Sequence, residues 1–283
     1  MSARTLTSSP GLAGPYLRAA LGALPLPGSR PRTLADRELR LPGVTVDRHH
    51  LATYAQVCGF GLTDALPGTY PHVLGFPLQM QLMSAGDFPF PLLGLVHVAN
   101  RIQVHRPVGA EETLDLTVRA ADLRPHERGQ QVDLVTEVDV AGERVWESTS
   151  TYLHRGGGSA PGRPRPVRDP ATGGAIWRLD GGLGRRYAAV SGDRNPIHLH
   201  PWTARAFGFP RAIAHGMWTA ARCLAALEGR LPAAYMQDVA FRRPVLLPGT
   251  VAFTAQELDD RWTLDLRDVR RGTPHLSGTV TAG

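Results

Sequence analysis

Cysteine is scarce in this chain. Its 283 residues hold two, Cys58 and Cys223, far apart and without Cys-x-x-Cys spacing, which argues against a disulfide framework and against a thiolate zinc site. A reducing, cytoplasmic setting is expected. Long apolar runs are missing as well. The most apolar N-terminal stretch, LAGPYLRAALGALPLPG (12–28), is interrupted by Pro15, Arg18 and Pro25 and falls short of the roughly 18 apolar residues needed to span a bilayer. It reads as a leading helix or arm rather than a signal peptide, and no membrane partner is expected. Concentrated basic charge is also absent. The net charge is +6 and the pI about 10.0, yet the arginines are scattered, with no basic helix or aromatic-basic ribbon, so no nucleic-acid partner is expected. The positive balance suits long-range attraction of a phosphorylated ligand or an acidic protein.

What is present is the composition of a globular protein, 42% hydrophobic and 20% charged. The length suggests roughly two domains of about 100 to 150 residues. The clearest break is RGGGSAPGRPRPVRDPATGG (155–174), rich in Gly, Pro and Arg, which reads as a linker. It separates an N-terminal unit (39–154, after an arm at 1–38) from a C-terminal unit (175–283). The two units repeat one another. DRHHLATYAQVCG (47–59) matches DGGLGRRYAAVSG (180–192) at an offset of 133, and Gly75-Phe76 and Pro107 match Gly216-Met217 and Pro248 at an offset of 141.

In each repeat a short strand (Val44-Thr45-Val46; residues 176–179) leads to a capping aspartate, Asp47 or Asp180, and then to a helix. After each glycine a long apolar helix follows. In the second copy Met217, Ala220, Ala221, Leu224 and Leu227 keep helical spacing, and the remaining face is also small or apolar, which predicts burial. Alternating strands complete each unit, with Leu114, Leu116 and Val118, then Val132, Leu134, Thr136, Val138 and Val140, and later Val251, Phe253 and Ala255, then Trp262, Leu264 and Leu266. Period two implies antiparallel sheets with one covered face. An antiparallel sheet wrapped around a central helix buries both apolar surfaces. This order, given twice in one α+β chain, resembles the double hotdog fold, in which two units pair as a pseudo-dimer around one continuous sheet.

Between the first helix and the glycine the second copy has gained eight residues, and GDRNPIHLHP (192–201) lies in this region where the copies differ. From Tyr187 the segment reads Y-A-A-V-S-G-D-R-N-P-I-H, with Ala204 five residues beyond His198. Asp193 and His198 are five apart, which would put them on different faces of one α-helix. Gly192 ends the preceding helix, and Pro196 biases Asn195 away from helical dihedrals. The chain therefore doubles back and brings a carboxylate and an imidazole towards one water.

This segment resembles the signature of the MaoC-like, R-specific enoyl-CoA hydratase (hydratase 2) family. The resemblance implies reversible hydration of trans-2-enoyl thioesters, or dehydration of (3R)-hydroxyacyl thioesters, carried by coenzyme A or an acyl carrier protein, in fatty acid metabolism. It places the catalytic dyad on Asp193 and His198 and the oxyanion contact on the turn at Gly216. We take Asp193 as base towards water and His198 as second ligand and proton donor to C2, the reverse being left open by the spacing. Asn195 is expected to orient the carboxylate or its loop.

The first repeat has Phe60 in the place of Asp193 and lacks the histidine. A unit freed of its dyad has space for an acyl chain, and Phe60 and Phe76, with Leu78, Met80 and Met83, are candidates for that wall or for ordinary core. His215 is expected to bond a backbone carbonyl or else to touch substrate, His200 to be superficial, and Tyr187 to be packed. His49-His50 and His198-x-His200 offer metal-like pairs without a third ligand at recognisable spacing, so neither metal nor cofactor is expected. The runner-up readings are a hotdog thioesterase and a non-catalytic acyl-thioester-binding subunit. A monomer is expected to suffice as a pseudo-dimer, with a homodimer as the alternative.

Overall fold

The computed structural model describes residues 2–21, 31–156 and 174–283. The stretch read as a linker falls almost entirely outside them. In chain order the elements are β1 (Ser2–Thr5), α1 (Ala13–Leu21), β2 (Arg37–Val44), α2 (Arg48–Cys58), α3 (Tyr70–Met83), β3 (Leu95–Val104), β4 (Leu114–His126), β5 (Gly129–Val140) and β6 (Glu143–Arg155). The second half holds β7 (Ala175–Leu179), α4 (Leu183–Ser191), α5 (Pro196–Leu199), α6 (Pro201–Ala206), α7 (Gly216–Ala225), β8 (Tyr235–Phe241), β9 (Gly249–Leu258), β10 (Arg261–Asp268) and β11 (Pro274–Ala282).

All described strands join one eleven-stranded sheet in the order β1-β2-β4-β5-β6-β3-β8-β11-β10-β9-β7. Outward from the centre, β3, β6, β5, β4 and β2 mirror β8, β11, β10, β9 and β7. The halves meet where β3 pairs antiparallel with β8, from Ala99 opposite Ala240 to Val104 opposite Tyr235. Arg101 and Asp238 form an ion pair across that seam. The alternating apolar residues fill one covered face: Leu114, Leu116, Val118, Val132, Leu134, Val138, Val251, Trp262, Leu264 and Leu266 are all buried. The helices α3 and α7 supply the other side of this core, with Met217, Ala220, Ala221, Leu224 and Leu227 buried as their spacing predicts. Among the described residues no helix is long and apolar enough to cross a membrane.

Three local expectations are corrected. The first-repeat strand is β2, ending at Val44, so Thr45 and Val46 lie beyond it in the approach to α2. Asp47 caps α2, accepting the His49 and His50 N–H groups, whereas α4 begins at a Gly182 N-cap without a side-chain bond. Asp180 instead accepts the Gly182 N–H at 2.7 Å and pairs with Arg186. The equation of Gly75 with Gly216 also fails. Gly216 opens α7, but Gly75 lies within α3, where a Cβ would press to 2.7 Å from the Thr136 methyl of β5. Glycine there lets helix and sheet approach closely.

Candidate active site

The helix α4 stops where Gly192 adopts a left-handed φ of 73° and its N–H bonds the Ala188 carbonyl. This conformation favours glycine. The chain then turns on itself. The Asp193 Oδ1 accepts the Asn195 N–H at 3.1 Å, and Asn195, before proline, takes the expected extended ψ of 126°. Its side-chain oxygen accepts the Ile197 N–H at 3.3 Å, so Asn195 caps α5 with its side chain and holds Asp193 with its backbone. His198 follows within α5 and is buried. Its Nδ1 donates to the Ile213 carbonyl at 2.8 Å. Since a carbonyl can only accept, this fixes the tautomer and leaves Nε2 with its lone pair.

His215 is the N-cap of α7. Its Nε2 donates to the Asp193 carbonyl at 2.9 Å, the backbone contact expected of it. Its ring stacks on that of His198 with centroids 3.7 Å apart and lies 4.9 Å from that of Tyr187. One ligand atom from each of Asp193, His198 and His215 falls within 4.8 Å of the others. Gly216 begins α7, where the first N–H groups have no partner within the helix and the dipole favours negative charge. A Cβ at Gly216 would lie 3.1 Å from the ring of Phe241, so glycine makes room there.

Burial sets the charge state. It pushes His215 down to about 3, the neighbouring His198 acting in the same direction, and lowers His198 against the pull of Asp193. For Asp193, whose side chain is 29% exposed, burial works against the carboxylate. The attraction that the protonated forms of His215 and His198 exert, together with the Asn195 N–H, outweighs it and shifts the group below the ordinary carboxylate range. The resting site is thus a carboxylate beside two stacked, neutral imidazoles.

Sequence reasoning missed much of the facing wall. His72 on α3, His97 on β3 and Tyr152 on β6 all feel the charge of Asp193. The His97 ring stacks on Tyr152 at 4.6 Å and meets Phe241 edge-on at 5.0 Å. Burial lowers His72 to about 4 and His97 to about 3. None of these sits in a motif. The N-terminal arm also reaches the site: the Tyr16 hydroxyl accepts the Arg194 N–H at 2.5 Å and lies 3.1 Å from the Gly192 carbonyl and 3.4 Å from Asp193 Oδ1. Of the apolar candidates, Phe76 arrives, its ring 3.7 Å from where a Cβ on Gly192 would stand. Phe60 stacks on Tyr54, between Gly59 and Gly61, whose surroundings are Arg222 and Glu228. Leu78, Met80 and Met83 are buried in the core. Exposed His200 caps α6 by accepting the Trp202 N–H. His50 ties Tyr70 to the Val190 carbonyl.

His215 supplies in space the third donor that spacing did not offer. A ring nitrogen's lone pair lies in the plane of its ring, and the planes of His198 and His215 run side by side, 26° from parallel. They do not converge on one ion, so the trio suits proton transfer better than metal ligation.

Two antiparallel units sharing one sheet and each packed on a helix define a double hotdog protein, and among the described residues a carboxylate clusters with two imidazoles at the start of the second unit's helix. Residues 183–279 match the MaoC-like domain. The chain is 43% identical over 273 residues to 3-hydroxyacyl-thioester dehydratase X of Mycobacterium tuberculosis, covering 93% of this chain and 95% of that one. The crystal structure of that organism's HtdX superposes with a TM-score of 0.78 at 41% identity, over 87% of this chain and all of the other. A conserved hypothetical protein of the same organism, with a double hotdog fold, shares the architecture at 16% identity and a TM-score of 0.52, over 86% of this chain and 94% of that one. The chain belongs to the MaoC-like dehydratase family.

Proposed function

We propose that the chain is a hydro-lyase acting on acyl thioesters in fatty acid metabolism, hydrating trans-2-enoyl thioesters and, in reverse, dehydrating (3R)-hydroxyacyl thioesters. The observation that carries this is the Asp193 carboxylate and the bare His198 Nε2 converging beneath the start of α7. Both groups rest in their proton-accepting form, so a water between them can donate to each. In hydration an O–H bond of water breaks, C3–O forms, and the released proton passes to C2 as the C2=C3 π bond is consumed.

Because the His198 Nδ1 proton is held by Ile213 and Nε2 starts unprotonated, the donor to C2 is whichever of the pair has just received water's proton. On this reading His198 begins as a proton acceptor and serves as the donor to C2 only after it has taken water's proton. Delivery from one water makes the addition syn. The Gly216 N–H at the head of α7 stabilises the charge that develops on the thioester oxygen.

The substrate carrier is coenzyme A or an acyl carrier protein. One chain holds both hotdog units, so a monomer suffices, with a homodimer through the outer edges β1 or β7 as the alternative. The two free, buried cysteines support a cytoplasmic location. The test is to mix the protein with crotonyl-CoA and longer trans-2-enoyl-CoA and follow enoyl-thioester absorbance together with free thiol. Loss of absorbance without thiol release is expected. Thiol release would mark a thioesterase, and binding without either change a non-catalytic acyl-thioester-binding subunit.

A further inference from the structure

The N-terminal arm takes an unusual path. Its β1 adds in parallel to β2 at the outer edge of the first half, Ser2 to Thr5 opposite Arg37 to Arg40, and the Leu6 N–H continues the pairing to the Arg40 carbonyl. The chain then crosses to the second half. Leu12 sits on Gly192 so closely that a Cβ there would lie 2.5 Å from its Cδ1, and one turn into α1 Tyr16 meets the turn that carries Asp193.

The Tyr16 oxygen touches three consecutive residues. It accepts the N–H of Arg194 and shares its one proton between the Gly192 carbonyl at 3.1 Å and Asp193 Oδ1 at 3.4 Å. Burial and the nearby Asp193 charge both hold the hydroxyl protonated, so towards the carboxylate it acts only as a donor. A donor to a charged acceptor is worth more than one between neutral groups. Tyr16 lies far outside residues 183–279, which match the family domain.

Resting on the hydratase reading above, we propose that Tyr16 is a positioning residue for Asp193, through which the arm fixes the orientation of the carboxylate and adds a donor to its charged form. Without the hydroxyl, Asp193 loses a donor that stabilises its charged form, so its pKa rises and its turn loosens.

The test is Tyr16→Phe in the full chain, assayed for trans-2-enoyl-CoA hydration across pH, with thermal melting and NMR titration of the Asp193 carboxyl alongside. Expected are a kcat about tenfold lower, in keeping with one charge-assisted hydrogen bond, an unchanged KM and an unchanged Tm. The acid limb of the rate profile and the Asp193 titration should both move to higher pH. Wild-type kcat with an unmoved titration would overturn the proposal. So would a fall in Tm and kcat together with the titration in place, since that marks a packing role. Tyr16→Ala separates the two further, because it removes ring and hydroxyl and should shift the titration no further than Tyr16→Phe. Should the wild type hydrate no enoyl thioester, the function fails while the titration still decides the role of Tyr16.

Discussion

The two halves of the sheet share a plan, and the difference that concerns the site lies at one turn. Both carry a helix closed by a left-handed glycine, Gly59 with φ of 82° and Gly192 with φ of 73°. After Gly59 comes Phe60, stacked on Tyr54; after Gly192 come Asp193 and the extra residues that bring His198 back to it. The first half nonetheless contributes to the second's site, through His72, His97, Tyr152 and Phe76. The strand order is therefore retained in both halves, and the proposed chemistry rests on one substitution, Phe60 against Asp193, and the residues that follow it in one half.

The largest effect that would break this contrast is removal of the pair itself. Asp193→Asn or His198→Ala should lower the hydration rate by about 100-fold to 10,000-fold with little change in Tm, measured by steady-state assay and melting. Next come the two glycines. Gly192→Ala should cost about 1–2 kcal/mol for its left-handed backbone, and more from the collision with Leu12, and it should also lower the rate because Asp193 is displaced. Gly59→Ala meets only the flexible guanidinium of Arg222, so denaturation should report a similar backbone cost with the rate per folded molecule unchanged. Equal rate losses in both variants would erase the distinction between the halves.

Much of this contrast is legible in the sequence. The run from Tyr187 to His198 announces itself because a turn, a cap and an acid-base pair lie within twelve residues. His97 does not, since a single histidine in the strand LVHVANRIQV becomes part of a site only when β3 pairs with β8. Tyr16 is equally silent, because its partners lie in the other half of the chain. The mismatch of Gly75 with Gly216 has a similar root: both permit close approach, one of a helix to a sheet and the other of the start of a helix to Phe241, and composition does not separate these uses.

The buried histidines give the next prediction. His72, His97, His198 and His215 all have folded pKa values lowered chiefly by burial. Between the folded values and the unfolded value of about 6.5, the unfolded chain binds more protons. Their contribution to stability is therefore fully present above about pH 6.5 and is lost as the pH falls towards about 4 for His72 and about 3 for His97 and His215. Tm measured across this window should decline, and His97→Phe should make the decline shallower. A Tm independent of pH there would contradict neutral burial. The smallest effect sharpens the comparison from the other side. Phe60→Asp placed on Asp193→Asn should recover no activity, since the first half has neither the returning turn nor a histidine to partner the new carboxylate.

The antiparallel seam of β3 and β8 has an evolutionary consequence. In a dimer of identical subunits every substitution occurs twice, so a change that widens one pocket also disables its twin. Joining the two units in one polypeptide lifts that constraint: Phe60 and Asp193 can occupy corresponding positions, and each half can accumulate changes that its counterpart would not tolerate.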